Sequence, residues 1–426
     1  MDLIVGKSPN LRGVIKIPPN KSHSFRAMIM ASLAEGVSRI MAPAISNDWM
    51  LGAEAMEMFG AHVEPKAGGV WEIIGTGGKL RTPEDVINCG NSGIILRFFT
   101  ALGACCEGFT VLTGDNSLRH IRPCQPLIDA LNSLGAWAVS SKGDGHAPLL
   151  VRGRLKGGRA EIDGTDSQPV SALLMACSLA EAPTDLVVHN PGEKPWVGVT
   201  LEWLKRCGAE FSNQDYSHYR IRGKSRWKGF EARIPLDWSA ALYPIVAALI
   251  TPGSEVQVPG MDLDDSQGDK LVIDVLREMG ADIQVRDGVV IARSSSLKGM
   301  TIDCNNFIDQ FMLLAVVGAF AEGQTELTNA SICRQKECDR ISEIVKALRM
   351  MGASVQEKPD GIVIKGGRLR GARVDSAHDH RMVMTIAVAA LAADGDTTIY
   401  NIDCVKKTFP AFVDQMQGLG VDFQTR

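Results

Sequence analysis

The sequence predicts an α/β protein of two domains, each built from three β-α-β-α-β-β repeats. One observation is a unit in which a short extended run ends in a polar turn and an apolar helix follows, as in V-D-S-A-H-D-H-R-M-V-M from Val374. Related units begin at Val14, Asp85, Glu161, Arg233 and Thr301. A second observation is a helix end followed by glycine at Gly60, Gly135, Gly208, Gly280, Gly352 and Gly420, with spacings of 75, 73, 72, 72 and 68 residues. Six copies of such a unit account for nearly all of the 426 residues.

The elements of one repeat follow from its apolar periodicity and its turn residues. The first repeat is predicted as a strand at Val14–Ile17, a helix at Ser22–Leu33, a strand at Ser38–Met41, a helix at Asp48–Phe59 and a strand pair at Ala61–Glu64 and Val70–Ile74. Helices after the first turns, such as A-L-L-M-A-C-S-L-A from Ala172, are apolar on every side, which is typical of buried helices. We expect three of them per domain to form an internal bundle, with the more polar second helices and the sheets outside.

Composition and charge exclude several classes of protein. Hydrophobic residues make up 45% and charged residues 22% of the chain, and the net charge is −4, which argues against a general nucleic-acid-binding surface. No apolar run has the length of a membrane span, and the N-terminus lacks the features of a signal or transit peptide, so we expect a cytoplasmic protein with no membrane partner. The ten cysteines contain no C-x-x-C pair and are interpreted as buried free thiols.

Polar residues without an obvious structural reason collect at the repeat turns. At the first turns these are Lys21, Ser22, Arg26, Asn91, Ser92, Gly93, Ser167, Gln168, Asp237, Ser239, Asp309, His380 and Arg381. At the second turns these are Arg122, Lys336, Glu337, Arg340 and Lys407. Several cations with a few carboxylates suit small polyanionic substrates that undergo acid–base chemistry.

Each of these residues also has a purely structural interpretation. Ser22, Asn91 and Ser167 could be helix N-caps, and Asp237 and Asp379 could do the same.

Two further groups leave alternatives open. Lys336, Glu337 and Arg340 could be a solvated helix start with local ion pairs. His378 and His380 form an H-x-H pair, but no carboxylate or cysteine pattern accompanies it, so we expect no metal site. The glycines of a phosphate-binding loop are missing around Lys21, and no dinucleotide-binding or G-x-S-x-G motif appears.

Six motifs in order make the chain resemble the enolpyruvyl transferase family. They are N-K-S-H-S-F-R-A at Asn20, G-N-S-G-I-I-L-R at Gly90, D-S-Q at Asp166, K-E-C-D-R at Lys336, D-H-R-M at Asp379 and K-T-F-P at Lys407. The resemblance covers the whole chain. It implies an N-terminal lobe at 20–232, a C-terminal lobe at 1–19 and 233–426, and closure of the two on their substrates.

The resemblance also implies a reaction. In the branch of the family that these motifs fit, the enolpyruvyl group of phosphoenolpyruvate is transferred to the 5-hydroxyl of shikimate 3-phosphate, and phosphate is released. It implies that no metal or organic cofactor takes part and that the protein is a monomer whose partners are the two small substrates.

The motifs carry family roles onto particular residues. The resemblance implies a phosphoenolpyruvate site formed by Lys21, Asn91, Gly93, Arg122, Gln168, Arg340, Arg381 and Lys407. It implies contacts to the shikimate partner from Lys21, Ser22, Arg26, Ser167, Gln168, Asp309 and Lys336. Catalytic roles fall to Lys21, Asp309, Glu337 and His380, with Asp309 as the base for the attacking hydroxyl and Glu337 as the group that delivers a proton to the methylene carbon.

Departures from the family pattern cluster near the expected acceptor phosphate. Asp166 and Glu193 stand where the family usually has serine, Ile332 replaces an asparagine, and Trp196 replaces a tyrosine. Added carboxylates would repel a phosphate unless Lys194 or another cation compensates.

These departures keep other functions open. Enolpyruvyl transfer to a different hydroxyl acceptor is one alternative. The sugar-nucleotide branch fits less well, since its reactive cysteine precedes an Arg-Pro pair, whereas Cys124 follows Arg122-Pro123. A catalytically silent anion-binding protein would leave Asp309 and Glu337 without a role.

Overall fold

The computed structural model describes residues 1–8 and 10–426. They form two compact units, which we call the N-lobe (residues 19–234) and the C-lobe (residues 1–18 and 235–426). The boundaries proposed from the repeats lie one or two residues from these limits. Each lobe has its own hydrophobic core.

The strands are short and are spread along the whole chain. In order they are β1 (Leu3–Val5), β2 (Arg12–Val14), β3 (Glu35–Met41), β4 (His62–Lys66), β5 (Val70–Thr76), β6 (Ile87–Asn88), β7 (Thr110–Thr113), β8 (Trp137–Ser140), β9 (Leu149–Arg152), β10 (Gly158–Asp163), β11 (Thr184–His189), β12 (Phe211–Gln214), β13 (His218–Ile221), β14 (Glu231–Arg233), β15 (Glu255–Pro259), β16 (Asp282–Arg286), β17 (Val289–Arg293), β18 (Thr301–Asp303), β19 (Gln324–Thr328), β20 (Ser354–Lys358), β21 (Gly361–Lys365), β22 (Arg373–Asp375), β23 (Thr397–Tyr400) and β24 (Phe423–Thr425).

The α-helices alternate with these strands. In order they are α1 (Lys21–Leu33), α2 (Asn47–Met58), α3 (Gly93–Gly103), α4 (Asn116–His120), α5 (Gln125–Ser133), α6 (Ser167–Cys177), α7 (Lys194–Arg206), α8 (Trp238–Ile250), α9 (Val272–Glu278), α10 (Phe311–Phe320), α11 (Arg340–Met350), α12 (His380–Leu391) and α13 (Phe412–Gln417). Short 3-10 segments lie at Ala67–Gly69, Gly268–Leu271, Asn305–Gln310, Ser331–Gln335 and Ile402–Lys407. The α/β class and the β-α-β-α-β-β order predicted from the sequence are confirmed.

The described strands form six four-stranded sheets with one recurring topology. In the sheet β18-β19-β21-β20, the first two strands are parallel, with Ile302 opposite Leu327, and the remaining neighbours are antiparallel. In four of the sheets the parallel strands are consecutive in the chain, as β6–β7, β10–β11, β18–β19 and β22–β23, and the buried helix after the first turn supplies the crossover between them. Its N-terminus therefore follows the end of a strand, where the polar turn lies.

Two strands do not pair within the lobe of the helix that follows them in sequence. β2 precedes the first helix in sequence, but it pairs with β15 in the C-lobe. β14, which precedes α8, pairs with β3 in the N-lobe. The strand predicted at Val14–Ile17 is also displaced, since β2 ends at Val14.

The N-terminal strand pairs with strands from the other end of the chain. β1 lies between β23 and β24 and takes the inner antiparallel position of the last sheet. The hydrophobic pattern contains no information about these pairings because the partner of a strand can come from any repeat.

The helices after the first turns are buried as predicted. Every residue of α8 and of α12 is buried, and α8, α10 and α12 contact one another inside the C-lobe. In the N-lobe, α3 packs on α6. Their N-termini carry the polar turn residues, so each lobe gathers several repeat turns.

Candidate functional site

The C-lobe gathers charged residues from two of its helices, from two 3-10 segments and from the turn before α11. We call the following group the C-lobe cluster: Asp309, Lys336, Glu337, Arg340, Asp379, His380, Arg381 and Lys407. Arg340 begins α11, and His380 and Arg381 begin α12. Asp309 lies in the segment Asn305–Gln310, and Lys407 ends the segment Ile402–Lys407.

Arg340 is the centre of the C-lobe cluster. Its side chain is 2% exposed and contacts three carboxylates. Nε donates to Asp379 Oδ2 at 2.7 Å, Nη1 to Asp309 Oδ1 at 2.8 Å and Nη2 to Glu337 Oε2 at 2.9 Å. Burial alone would lower the pKa of Arg340, but the three carboxylates raise it well above its ordinary value. The interpretation of Lys336, Glu337 and Arg340 as a solvated helix start is therefore wrong, because Arg340 is buried in ion pairs.

Asp309 lies between two arginines. Its Oδ1 accepts from Arg340, and its Oδ2 accepts from Arg381 Nη2 at 2.9 Å. Burial opposes ionisation, but the charges of Arg381, Arg340 and Lys336 lower the pKa of the Asp309 carboxyl well below its ordinary value. The carboxylate is therefore ionised before substrate arrives, as a proton acceptor must be.

Glu337 links the arginine to a lysine. Its Oε1 accepts from Lys407 Nζ at 2.9 Å, while Oε2 accepts from Arg340. His380 is 2% exposed, and its Nδ1 lies 3.6 Å from Asp379 Oδ1. Three cations thus form one network of contacts with three acids: Arg340, Arg381 and Lys407 with Asp309, Glu337 and Asp379.

The N-lobe collects a second group, which we call the N-lobe cluster: Lys21, Ser22, Arg26, Asn91, Gly93, Arg97, Arg122, Asp166, Ser167, Gln168 and Glu193. A Cβ on Gly93 would lie 2.7 Å from Arg97 Nη1, 3.1 Å from Gln168 Oε1 and 3.2 Å from Arg122 Nη1. A side chain at this position would displace these groups. Gly93 therefore lets two guanidinium groups and an amide approach the start of α3.

The turn residues Lys21 and Asn91 also take part in this arrangement. Lys21 Nζ lies 3.8 Å from Asp48 Oδ2. Asn91 donates through Nδ2 to Asp115 Oδ2 at 2.5 Å, and its carbonyl oxygen accepts from Arg122 Nη1 at 3.3 Å. Arg122 is thereby attached to the same turn as Gly93.

Arg97 compensates one of the two unusual carboxylates. Its Nη2 lies 3.0 Å from Asp166 Oδ2, and the arginine side chain is 3% exposed. The other oxygen of Asp166 accepts from the Gln168 backbone N–H at 3.0 Å and caps α6. Sequence reasoning did not select Arg97. Arg97 could have been found as the one charged residue in the apolar run I-I-L-R-F-F, one turn after Gly93.

The carboxylate of Glu193 lies at the N-terminus of α6. Its Oε2 accepts from the Ser167 backbone N–H at 2.9 Å and from Ser167 Oγ at 2.8 Å, and Glu193 is 2% exposed. Its backbone is left-handed, with a φ of 47°. Lys194 does not compensate this charge as considered above, because its Nζ pairs with Asp215 at 3.2 Å. A carboxylate thus occupies the position where a helix N-terminus attracts negative charge.

Arg26 is buried among neutral oxygens. Nε donates to Thr200 Oγ1 at 2.7 Å, and Nη2 donates to the Trp196 carbonyl at 3.0 Å. Within 1–8 and 10–426, no carboxylate forms an ion pair with Arg26. Burial lowers the pKa of Arg26 to about 9. A buried guanidinium of this kind gains most from an anionic ligand.

The N-cap interpretations divide into two groups. Asp237 caps α8 through Ala240 N, and Asp379 caps α12 through Arg381 N, so these two are confirmed.

The other three N-cap interpretations are wrong, because a neighbouring residue performs that role in each case. Asn20 caps α1 instead of Ser22, Ser92 caps α3 instead of Asn91, and Asp166 caps α6 instead of Ser167. Ser22, Asn91 and Ser167 therefore keep their side chains for other contacts.

Metal and thiol chemistry find no support. No group of three or more His, Cys, Asp or Glu side chains is arranged to hold a metal within the described part of the chain. The ten cysteines are free, and Cys124 is fully buried, which raises the pKa of its thiol. A buried thiol of this kind is a poor nucleophile. In residues 1–8 and 10–426, the helices are too short or too polar to cross a bilayer.

Comparisons with known proteins agree with the motifs. The family model described as "EPSP synthase (3-phosphoshikimate 1-carboxyvinyltransferase)" matches residues 5–416. A 3-phosphoshikimate 1-carboxyvinyltransferase from Acetivibrio thermocellus is 41% identical over 97% of this chain and 97% of its own length. One from Methanocaldococcus jannaschii is 39% identical over 100% and 99%. A solved EPSP synthase from Acinetobacter baumannii superposes over 100% of both chains with a TM-score of 0.83 and 27% identity. The chain therefore belongs to the EPSP synthase (3-phosphoshikimate 1-carboxyvinyltransferase) family.

Proposed function

We propose that this enzyme transfers the enolpyruvyl group of phosphoenolpyruvate to the 5-hydroxyl of shikimate 3-phosphate, releasing phosphate. The observation that carries the proposal is the C-lobe cluster, where an ionised Asp309 lies beside a second acid, Glu337, on the shared cation Arg340. Family membership supplies the substrate class. The alternative of a different hydroxyl acceptor is not favoured, because relatives that match over the full length act, by name, on phosphoshikimate.

The first half of the reaction is an addition. Glu337 delivers a proton to the methylene carbon of phosphoenolpyruvate, and positive character develops on the neighbouring carbon. The 5-hydroxyl oxygen attacks that carbon, and Asp309 takes the hydroxyl proton. The product of this half is a tetrahedral ketal that still carries the phosphate.

Glu337 must be protonated for this step, and substrate binding can favour its protonated form. In the free protein Lys407 and Arg340 hold Glu337 as a carboxylate. When the carboxylate and phosphate of phosphoenolpyruvate take over those cations, the charged form of Glu337 loses its support and its proton affinity rises.

The second half is an elimination. Glu337, now a carboxylate, removes a proton from the methyl group made in the first half, and the carbon–oxygen bond to phosphate breaks. The departing phosphate takes the proton that Asp309 accepted, so both acids return to their starting state. We assign the departing charge to Lys21, Arg122, Arg340, Arg381 and Lys407, with Asn91, Gly93 and Gln168 lining the phosphoenolpyruvate. Fixed cations stabilise charge that develops in the transition state without reorganising.

For the acceptor we assign contacts to Lys21, Ser22, Arg26, Ser167, Gln168, Asp309 and Lys336. Arg26 is assigned to the shikimate carboxylate, because its buried charge has only neutral neighbours in the free protein. His380 is assigned to the group around the reacting carbon. In this proposal, a substitution of an assigned substrate contact in either cluster should reduce turnover.

The deciding experiment measures phosphate release from phosphoenolpyruvate with shikimate 3-phosphate, with unphosphorylated shikimate and with no acceptor. Release should require shikimate 3-phosphate and should fall by at least about a hundredfold in Asp309→Ala. Asp274→Asn is the matched control, because this C-lobe carboxylate is 76% exposed. Release that persists in Asp309→Ala, or that occurs equally with shikimate, would contradict the assignment.

We further propose that the enzyme acts in the cytoplasm as a monomer, as the resemblance to the family implies. Size-exclusion chromatography with light scattering at assay concentration tests the oligomeric state, and a dimer mass would refute it.

A further inference from the structure

Asp269 is a buried carboxyl group that the reaction scheme does not use. It lies in the 3-10 segment Gly268–Leu271 and is 0% exposed. Its Oδ2 accepts from Gln310 Nε2 at 2.8 Å and from the Ser239 hydroxyl. Its Oδ1 is buried and has no hydrogen-bond partner among the residues that the structure describes.

Both partners of Asp269 lead to the candidate base. Gln310 follows Asp309 directly in the chain. Ser239 Oγ accepts from Arg381 Nη2 at 3.5 Å, and the same nitrogen donates to Asp309 Oδ2 at 2.9 Å. Asp269 therefore lies behind the Arg381–Asp309 pair and contacts a neighbour of each member.

The surroundings favour the neutral acid. No ion pair to Asp269 occurs within the described residues. The charged groups near it are Asp309 on the segment Asn305–Gln310 and Arg381 on α12. Asp237 on α8 and Asp265 beside the segment direct oxygens at the backbone N–H groups of Ala240 and Gln267.

An ionised Asp269 would leave a charged oxygen buried without a donor, close to a second carboxylate. In the neutral acid the proton lies on Oδ1, Oδ2 still accepts from Ser239 and Gln310, and Ser239 Oγ keeps a lone pair for Arg381. Burial first, and then the charge of Asp309, raise the pKa of Asp269 to about 7, while Arg381 acts in the opposite direction.

We propose that Asp269 is a positioning residue that works as a neutral acid and holds Arg381 against Asp309 through Ser239. This inference rests on the proposed function. Ionisation of Asp269 places a second negative charge behind Arg381, so the guanidinium binds the anionic substrate less well. Affinity for phosphoenolpyruvate therefore falls as pH rises through the ionisation of Asp269.

The test compares Asp269→Asn, which imitates the neutral acid, with Asp269→Ala. For wild type, kcat/KM for phosphoenolpyruvate should fall by about tenfold in all as pH rises through about 7, and should level off once Asp269 is ionised. Asp269→Asn should keep wild-type activity within about threefold at pH 6.5 and should lose this alkaline decline. Asp269→Ala should lose at least about tenfold at every pH, mostly as a higher KM, because Ser239 is released.

Two outcomes overturn the proposal. If Asp269→Asn is as impaired as Asp269→Ala at pH 6.5, the neutral acid is not the working form. If Asp269→Asn keeps the wild-type alkaline decline, another group causes it. Asp265→Asn serves as control, and its pH profile should match wild type.

A binding measurement separates this inference from the proposed reaction. The thermal shift produced by phosphoenolpyruvate alone, measured between about pH 6 and pH 9, reports on Arg381 without turnover. This shift should shrink with pH in wild type and stay constant in Asp269→Asn. Wild-type protein that binds phosphoenolpyruvate but releases no phosphate would refute the reaction and leave the role of Asp269 to be decided by the shift. A shift that is equally pH-dependent in both proteins would refute that role.

Discussion

Replacing Arg340 by methionine should destabilise the protein more than any exposed arginine substitution. Methionine preserves much of the side-chain volume but removes a charge that three carboxylates share at 2.7, 2.8 and 2.9 Å. Of these, the Asp379 side chain is 0% and the Glu337 side chain 10% exposed. Removing one partner of a buried ion pair destabilises by about 3–5 kcal/mol. For a lobe of this size, that corresponds to a loss of about 6–20 °C in melting temperature.

The pH dependence gives a second expectation for Arg340→Met. In wild type, arginine charges lower the pKa of Asp309, so this contribution to stability is present above the ordinary pKa of aspartate and is lost as pH falls through the lowered value. In the variant the unpaired carboxylates take up protons more readily. The deficit should therefore shrink as pH falls.

The assay is urea unfolding followed by circular dichroism, with Arg334→Met as the matched control. Arg334 pairs with Asp339 at 2.7 Å and Glu357 at 3.0 Å, but its side chain is 28% exposed. Because solvent screens that site, its loss should cost about 1 kcal/mol. If the two variants lose equal stability, burial of Arg340 does not have the consequence argued above.

Three further predictions concern charge in other buried positions. Glu193→Gln keeps an acceptor for Ser167 but removes the negative charge at the N-terminus of α6. KM for shikimate 3-phosphate should therefore fall by about three- to tenfold in phosphate-release assays. A higher KM would show that the Glu193 carboxylate does not repel the acceptor phosphate. Arg26→Met should change the free energy of unfolding by less than about 1 kcal/mol, because the buried charge has no carboxylate partner, while acceptor-dependent release falls by at least about a hundredfold. Asp269→Asn should gain stability relative to wild type as pH rises between about 4 and 7, by at most about 1.4 kcal/mol per pH unit. The reason is that the raised pKa of Asp269 stabilises wild type fully below the ordinary pKa of aspartate, and this stabilisation is lost as pH rises to the raised pKa. A difference in melting temperature that does not depend on pH would refute this.

Much of the site could be predicted because its residues lie at fixed places in each repeat. Asp309, Arg340 and Arg381 were selected from separate turns, and the structure brings them within hydrogen-bond distance. A repeat of constant length places equivalent turns at equivalent ends of the sheets. What could not be predicted is which neighbour does which task, as when Asp166 caps α6 and leaves Ser167 to bind Glu193. Only one residue can take the N-cap position with its non-helical backbone angles, and adjacent polar residues compete for that position.

The sequence by itself determined the α/β class, the six repeats, the family and most residues of both clusters, because these follow from local periodicity and from motifs that are continuous in the chain. Only the tertiary structure decided the pairing partners of β1, β2 and β14, since a strand pairs with whichever edge the fold brings to it. It also decided that Arg97 neutralises Asp166 and that Asp269 lies behind Arg381. Those contacts join residues far apart in sequence, and their strength depends on burial, which no single stretch of sequence contains.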